Sequence, residues 1–588
     1  MSSPDNTRRD EDRQWFLDHF AAASQLESRL IPDITGQDPC PPRKAVFPIT
    51  VPKKQMDALK KAFPGSEEAL YSTAFGLALS VWSADTKAFF TLTWGEGPES
   101  PVYVEWTPDQ PVKEVVDAVA RQIEGIREHS GFTRQEAVEE LELDRSVFFG
   151  GPVLPEGADL REDADLAFYW TPEGMTVLYR PDKYSEDILG QFSQSFCVCL
   201  CSMDGAGAVK DLSFASKQQI DRVEGFNPSP VDFDIDLTLV DLFKVHVSRH
   251  PDHPAVVYKG TLLTYAQLDA LTDRLAAHIA GIVQPGGVVS IILNRNEYMV
   301  VAPLATLKAG CAYQPLDPSY PTERLSFMVQ DAQSSLLVAD PGLEELITGF
   351  EAPVLSTADI PSLPEGKADV PAPKPEDLFI LLYTSGTTGV PKGVQLCHRN
   401  IACYARNNAK ALGITPDSRT AAYASFGFDA SMGDLSTAIA SGAALYIIPE
   451  EIRLDLPALN DFFEKNGITH LLMTTQVATQ FAINFPENKS LQALYTGGEK
   501  ISSFAPPKYR LINAYGPTET TVYTISKEVS VQEADVPIGK PLDGVKAYIV
   551  GKGGQRLPVG AAGELLLAGY QVVDVGVELR SEERRVGK

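Results

Sequence analysis

A chain of 588 residues exceeds what one compact core organises, and three or four domains are expected. Its 78 acidic and 51 basic side chains give a formal net charge of −27, a surface that repels nucleic acid phosphates and anionic lipid, so neither is expected as a partner. Seven cysteines, a polar start and no run of ~18 apolar residues exclude a disulfide scaffold and a membrane span, and predict a reducing, cytoplasmic setting.

Residues 1–11 are polar and expected to be disordered. From 12 to 220, helical segments (Asp57–Phe63, Glu67–Ser80, Val112–His129) alternate with apolar strands (Val102–Trp106, Leu166–Trp170, Thr176–Tyr179). Asp187–Met203 reads as an apolar helix carrying Cys197, Cys199 and Cys201. Side chains at i and i+2 of a helix point to different faces, so the three read as core thiols rather than metal ligands. Residues 221–236, with prolines and turn residues, read as a linker. A second unit starts near Leu237. Thr264 is placed to cap a helix over Tyr265–Ile282. The strand Val288–Asn294, a helix to Lys308 and further alternation predict a largely parallel α/β sheet. Pro361–Pro375 reads as a surface connection to the strand Leu378–Tyr383.

That strand runs into Thr384-Ser385-Gly386-Thr387-Thr388-Gly389-Val390-Pro391-Lys392-Gly393. Three glycines let backbone N–H groups approach an anion, four hydroxyls add donors, and Lys392 adds positive charge. The stretch is equipped to hold a polyphosphate, although its spacing is not that of a Walker loop. The alternative is a glycine-rich surface turn.

Tyr383 to Gly393 resembles the signature of the adenylate-forming enzymes, which include peptide synthetase adenylation domains, acyl-CoA synthetases and luciferases. Further stretches resemble that family's motifs in order: Leu263–Leu268, Leu307–Asp317, Phe428-Asp429-Ala430-Ser431, Asn513–Thr521, and a start at Gly563-Glu564-Leu565. The resemblance implies an α/β adenylate-forming large-subdomain fold over 237–579, using ATP and Mg²⁺. It gives catalytic roles to Thr384, Thr387, Lys392 and Glu519, with Glu519 also binding the metal. Nucleotide contacts fall to Ser385, Gly386, Thr388, Gly389, Gly498, Asn513, Tyr515, Gly516 and Thr518, with Tyr515 stacking on adenine and Asn513 bonding its exocyclic amine.

Within that family, Asp429 separates the branches. By resemblance to peptide synthetase domains it pairs with the ammonium of an α-amino acid; a ligase of acyl substrates has no amine to receive, and an unpaired buried carboxylate is costly. Read alone, an aspartate before Ala-Ser is a helix cap. The same register makes Ala430, Gly433, Leu472, Tyr495, Gly497, Ala514, Val522 and Tyr523 the side-chain pocket. It carries no charge, and Gly433 at its floor is expected to leave room for an apolar or aromatic side chain. The expected product is an aminoacyl-AMP for loading onto phosphopantetheine of a peptidyl carrier domain, with other synthetase modules as partners. The alternatives are an acyl- or aryl-CoA ligase of the same fold, an aminoadipate reductase, and a nucleotide-binding but inactive module.

Residues 12–220 resemble, more diffusely, the C-terminal half of a condensation domain, an α+β acetyltransferase-like half. Arg13–Leu17, Asp165–Trp170 and Leu178–Asp182 carry the likeness. The family's His-His-x-x-x-Asp-Gly is absent, since no two of the eight histidines are adjacent, so peptide-bond formation is not expected. Residues 580–588 read as translated adapter DNA. The mobile C-terminal subdomain with its lysine is therefore expected to be missing, and activity of the chain impaired.

Overall fold

The fifteen-residue run after Glu67 holds almost nothing but small and apolar side chains, so a helix built from it has no face to offer to water. In the computed structural model, Glu67–Trp82 is a helix buried from Glu68 to Trp82. The structure describes residues 4–23, 26, 30–34, 37–65, 67–94, 99–129, 132, 134–144, 146–152, 159–162, 164–171, 174–385, 391–501, 505–533 and 536–573. The chain divides into two units. The first takes residues 1–226 together with 547–566, and the second takes 227–546 with a segment from Leu567.

The first unit is a mixed six-stranded sheet, order β1-β6-β5-β4-β2-β3. Its strands are β1 (Arg43–Phe47), β2 (Lys87–Trp94), β3 (Ser100–Glu105), β4 (Val147–Gly151), β5 (Leu166–Thr171) and β6 (Gly174–Tyr179). β4 runs parallel to β2 and β5, and the remaining pairs are antiparallel. The buried helix packs on this sheet, with Phe75 stacked on Phe149 at 4.3 Å between centroids. Leu557 and Ala561 complete the same core. The cysteine helix spans Glu186–Ser202, with Cys197 and Cys199 buried and Cys201 half-exposed. Cys197 and Cys201, one turn apart, hydrogen-bond; that contact and burial push the Cys197 thiol well up, while Cys201 is lowered.

Among the described residues, the second unit is built on two large sheets. The first contains β9 (Val288–Ile292), β10 (Ala312–Leu316), β11 (Leu336–Ala339), β12 (Val354–Ser356), β13 (Leu378–Ser385) and β14 (Pro391–Cys397), in the order β12-β11-β9-β10-β13-β14. Only β14 is antiparallel to its neighbour. The second contains β7 (Pro254–Tyr258), β8 (Thr261–Thr264), β15 (Arg419–Ala422), β16 (Ala444–Ile447), β17 (His470–Thr474), β18 (Ala493–Gly497), β19 (Arg510–Tyr515), β20 (Ile525–Glu528) and β21 (Lys540–Pro541). Its order is β21-β20-β19-β18-β17-β15-β16-β7-β8, parallel from β7 to β19. The expected largely parallel α/β architecture is present. Thr264 caps Tyr265–Ala280 in a reciprocal box with Gln267, two residues shorter than expected at the far end.

Alternate residues of the second sheet serve different cores, as the two-residue period of a strand requires. Ala422, Ala493, Tyr495, Ile512 and Ala514 face the helix Asp429–Ser441. Ala421, Tyr423, Leu471, Met473, Leu494 and Leu511 face the helices Leu456–Asn466 and Thr475–Asn484. The chain leaving β15 thus goes to one face, while the chain leaving neighbouring β17 goes to the other. Such a reversal opens a crevice at the carboxyl ends of the two strands. No helix among the described residues is long and apolar enough to cross a membrane.

Candidate functional site

Asp429 opens the helix that leaves β15, and Phe428 before it is 54% exposed at the crevice. Asp429 itself is half-buried. Its carboxylate accepts a hydrogen bond from the Thr518 hydroxyl at 2.7 Å. Burial raises its pKa above the ordinary 3.8; the Thr518 bond works against that shift and the nearby Glu519 charge adds to it. Asp429 is therefore the first residue of the helix, with Phe428 as the flanking position, and its carboxylate faces both the Thr518 hydroxyl and the backbone N–H groups of its own first turn, at Asp429 and Ala430.

Thr518 and Glu519 lie in a short 3-10 turn, Thr518–Thr520, just beyond β19. Asn513 is buried in β19, its side-chain amide donating to the carbonyl of Pro537 at 3.1 Å. Tyr515 ends the strand, half-buried, and Gly516 starts the turn. Past Glu519 the backbone enters the left-handed region at two successive β-branched residues, Thr521 and Val522, each at φ 63. Such positions cost about 1–3 kcal/mol each and persist only where surroundings enforce them. The enforcing contacts come from the segment after Leu567. The Thr521 hydroxyl donates to the Gln571 carbonyl at 2.6 Å, the Gln571 amide donates to the Tyr523 carbonyl at 3.2 Å, and the Val573 N–H donates to the Glu519 carbonyl at 3.0 Å. Gln571 is buried and also accepts from Asn407 at 2.7 Å.

The predicted pocket residues on the second sheet share one face. Leu472, Tyr495 and Ile512 stand abreast across β17, β18 and β19, and Thr474, Gly497 and Ala514 stand abreast one step nearer the carboxyl ends. A side chain at Gly497 would meet the Ala514 carbonyl oxygen at 2.2 Å, so only glycine permits this approach. Gly498 follows, exposed. Tyr495, Ala514, Val522 and Tyr523 are buried, whereas Ala430 and Leu472 are half-buried. Gly433 does not leave the expected room. A Cβ there would meet the Tyr404 Oη at 3.0 Å and the Val522 Cγ2 at 3.1 Å, so the space belongs to those side chains.

Thr384 lies in β13, paired with Lys392 in β14, and β14 lies against the turn Thr518–Thr520. Lys392 is exposed and belongs to a strand that returns antiparallel, not to a loop. Gly386, Thr387, Thr388 and Gly389, and the side chain of Ser385, lie outside the described residues.

Sequence reasoning missed Arg295. It follows β9 in the first sheet, its side chain only 8% exposed, and donates to the carbonyls of Ile448 at 2.7 Å and Ala424 at 2.7 Å, and to those of Tyr423 and Ala422. These are the carbonyls at the carboxyl ends of β15 and β16. With Asp317, which accepts from the Ser425 hydroxyl, Arg295 grips the loop that leads into Asp429. A buried arginine needs partners, but nothing local in the sequence says which.

The family model described as AMP-binding enzyme matches residues 243–574. Surfactin synthase subunit 2 of Bacillus subtilis (strain 168) is 39% identical over 341 residues, 57% of this chain and 10% of that protein. Bacitracin synthase 1 of Bacillus licheniformis is 33% identical over 405 residues, 68% of this chain and 8% of that protein. The chain thus spans about a tenth of the length of these curated relatives. Among solved structures, the nonribosomal peptide synthetase FmoA3 aligns over 97% of this chain and 66% of its own, with a TM-score of 0.81 at 20% identity, a likeness of fold. The N-terminal subdomain of Klebsiella oxytoca NpsA aligns over 58% of this chain and 89% of its own, with a TM-score of 0.54 at 25% identity.

Proposed function

The chain belongs to the AMP-binding enzymes, and from that premise we propose that it activates an α-amino acid with ATP as an aminoacyl-AMP, as part of a nonribosomal peptide synthetase. The observation that carries this reading is the Asp429–Thr518 hydrogen bond. It sets a carboxylate suited to an ammonium group directly against the turn that bears Glu519. The ammonium would displace or share that contact, and pairing with a cation is what a carboxylate raised by burial lacks.

In the proposed reaction a substrate carboxylate oxygen bonds to the α-phosphorus as the bond from that phosphorus to the pyrophosphate oxygen breaks, and pyrophosphate leaves with the electron pair. The chain's residues align the two partners and offset charge on phosphate oxygens. Lys392 supplies positive charge, the hydroxyls of Thr384, Ser385, Thr387 and Thr388 supply donors, and Tyr515 and Asn513 hold the base. Among the described residues there is no group of three or more metal-ligating side chains. A Mg²⁺ ion fits such a site, because it takes one or two carboxylates and completes its shell with phosphate and water. Glu519, half-buried in the turn, would hold it. When bound, the ion supplies neutralisation of phosphate charge. The product would pass to phosphopantetheine on a carrier domain. The first unit is read as a condensation-type half, which its mixed sheet and buried helix support.

The test is exchange of labelled pyrophosphate into ATP with a panel of amino acids and of acyl and aryl acids. Exchange dependent on amino acids is expected; exchange driven only by acids lacking the α-amine would refute the reading.

A further inference from the structure

Gly433 stands four residues after Asp429, on the same face of the helix and about 6 Å further along it. The space above it is closed by side chains from elsewhere in the chain. Tyr404, from the helix His398–Leu412, is fully buried, with its hydroxyl 3.0 Å from where a Gly433 Cβ would stand. Val522 closes the other side at 3.1 Å. Behind them Asn408, one turn along from Tyr404, donates to the Tyr404 hydroxyl at 3.3 Å and to the Thr437 hydroxyl at 2.9 Å, and accepts from the Tyr523 hydroxyl at 2.5 Å. The Tyr404 and Tyr523 rings meet edge-on at 5.7 Å. Tyr495 lies against Tyr523 and donates to Asp434 at 3.4 Å.

We propose that Tyr404 and Asn408 set the substrate size, restricting the site to α-amino acids with small side chains, of the alanine and serine class. The proposal rests on the reading of Asp429 as the ammonium anchor given above. An amine held at Asp429 directs the side chain along the helix toward Gly433, where Tyr404 and Val522 already fill the volume a leucine or phenylalanine side chain needs. The floor does not recede easily. Each hydrogen-bonding group of the Asn408 side chain is engaged, and moving Tyr404 or Tyr523 would leave a buried polar group unpaired. Tyr404 and Asn408 come from a helix that sequence comparison of the pocket positions alone does not include.

The test measures binding of 5′-O-(N-aminoacyl)sulfamoyl adenosines to the full chain by calorimetry, with bare sulfamoyl adenosine as reference. Alanyl and seryl analogues are expected to bind about tenfold or more tightly than leucyl and phenylalanyl analogues. Tyr404→Ala, and independently Val522→Ala, are expected to narrow that ratio at least about threefold by opening the floor. Should Tyr404→Ala not fold, the wild-type panel and Val522→Ala still decide. Equal or tighter binding of the bulky analogues to the wild type overturns the proposal, as does an unchanged ratio in every folded variant. In either case, retained binding of bare sulfamoyl adenosine leaves the adenylation reading standing. Failure of every analogue, bare sulfamoyl adenosine included, overturns both.

Discussion

Thr518 donates its hydroxyl hydrogen to Asp429 across 2.7 Å, tying the start of one helix to the turn that bears Glu519. Asp429→Ala should therefore remove amino acid binding while leaving most ATP binding. Loss of one partner of a desolvated charge pair costs about 2–5 kcal/mol. Burial holds the Asp429 carboxyl above 3.8, so as pH falls it is protonated earlier than an exposed aspartate. Amino acid affinity should decline on acidification from a pH above that value, and separate titrations with amino acid and with Mg-ATP across pH 4–7 check both statements.

Lys392→Ala should weaken Mg-ATP binding without lowering the melting temperature. Lys392 is exposed at the edge of the first sheet, and surface substitutions of this kind usually stay within about 0.5 kcal/mol in stability. The loss in affinity should shrink as salt is raised, because an exposed charge is screened. Calorimetry at low and high ionic strength alongside thermal denaturation reads this out.

Asp434 gives the chain a pH-dependent stability of a particular sign. Burial, only partly opposed by bonds from the Tyr423 N–H and the Tyr495 hydroxyl, drives its pKa well above 3.8, so the folded state keeps a proton that the unfolded chain gives up. Its contribution is complete below about 3.8 and is lost as pH rises toward the folded value, at about 1.4 kcal/mol per unit of the interval. Asp434→Asn, which carries no titrating group, should remove that downward slope. The difference between melting curves of wild type and variant, followed from acid to neutral pH, measures it.

Gln571→Ala should lower stability by about 1–3 kcal/mol, since it leaves the Asn407 amide and the Tyr523 carbonyl short of a buried partner. The bond from Thr521 runs to the Gln571 main chain and should survive. With the side-chain clamp gone, the left-handed pair Thr521–Val522 is freer to relax, and the turn carrying Glu519 moves with it. ATP binding should then require more Mg²⁺ for half-saturation, a change that a purely structural loss of stability would not produce in the folded fraction.

The elements set by local chemistry were legible in the sequence. The Thr264 cap with Gln267, the strand from Leu378 and the buried helix after Glu67 each depend on neighbours a few residues away. The place of Lys392 in β14 is not legible, because a glycine-rich stretch hides the point at which a returning strand begins. Gly433 was misjudged for a different reason. A missing side chain implies space only if nothing distant fills it, and Tyr404 arrives from a separate helix. Arg295 and the left-handed pair Thr521–Val522 were invisible on the same grounds: their partners are carbonyls, which every residue carries and no sequence marks.

Asn408 joins side chains from three separate places in the chain, Tyr404, Thr437 and Tyr523, through one amide. Retuning the proposed amino acid site for a different side chain inherits that bond pattern as a constraint. Exchanging Tyr523 alone strands the Asn408 oxygen, and exchanging Asn408 alone strands three hydroxyls, so single replacements would register as damage even when their combination is sound. Recoding has to proceed by whole sets, with Tyr404, Asn408, Thr437 and Tyr523 varied together in one library rather than visited one position at a time.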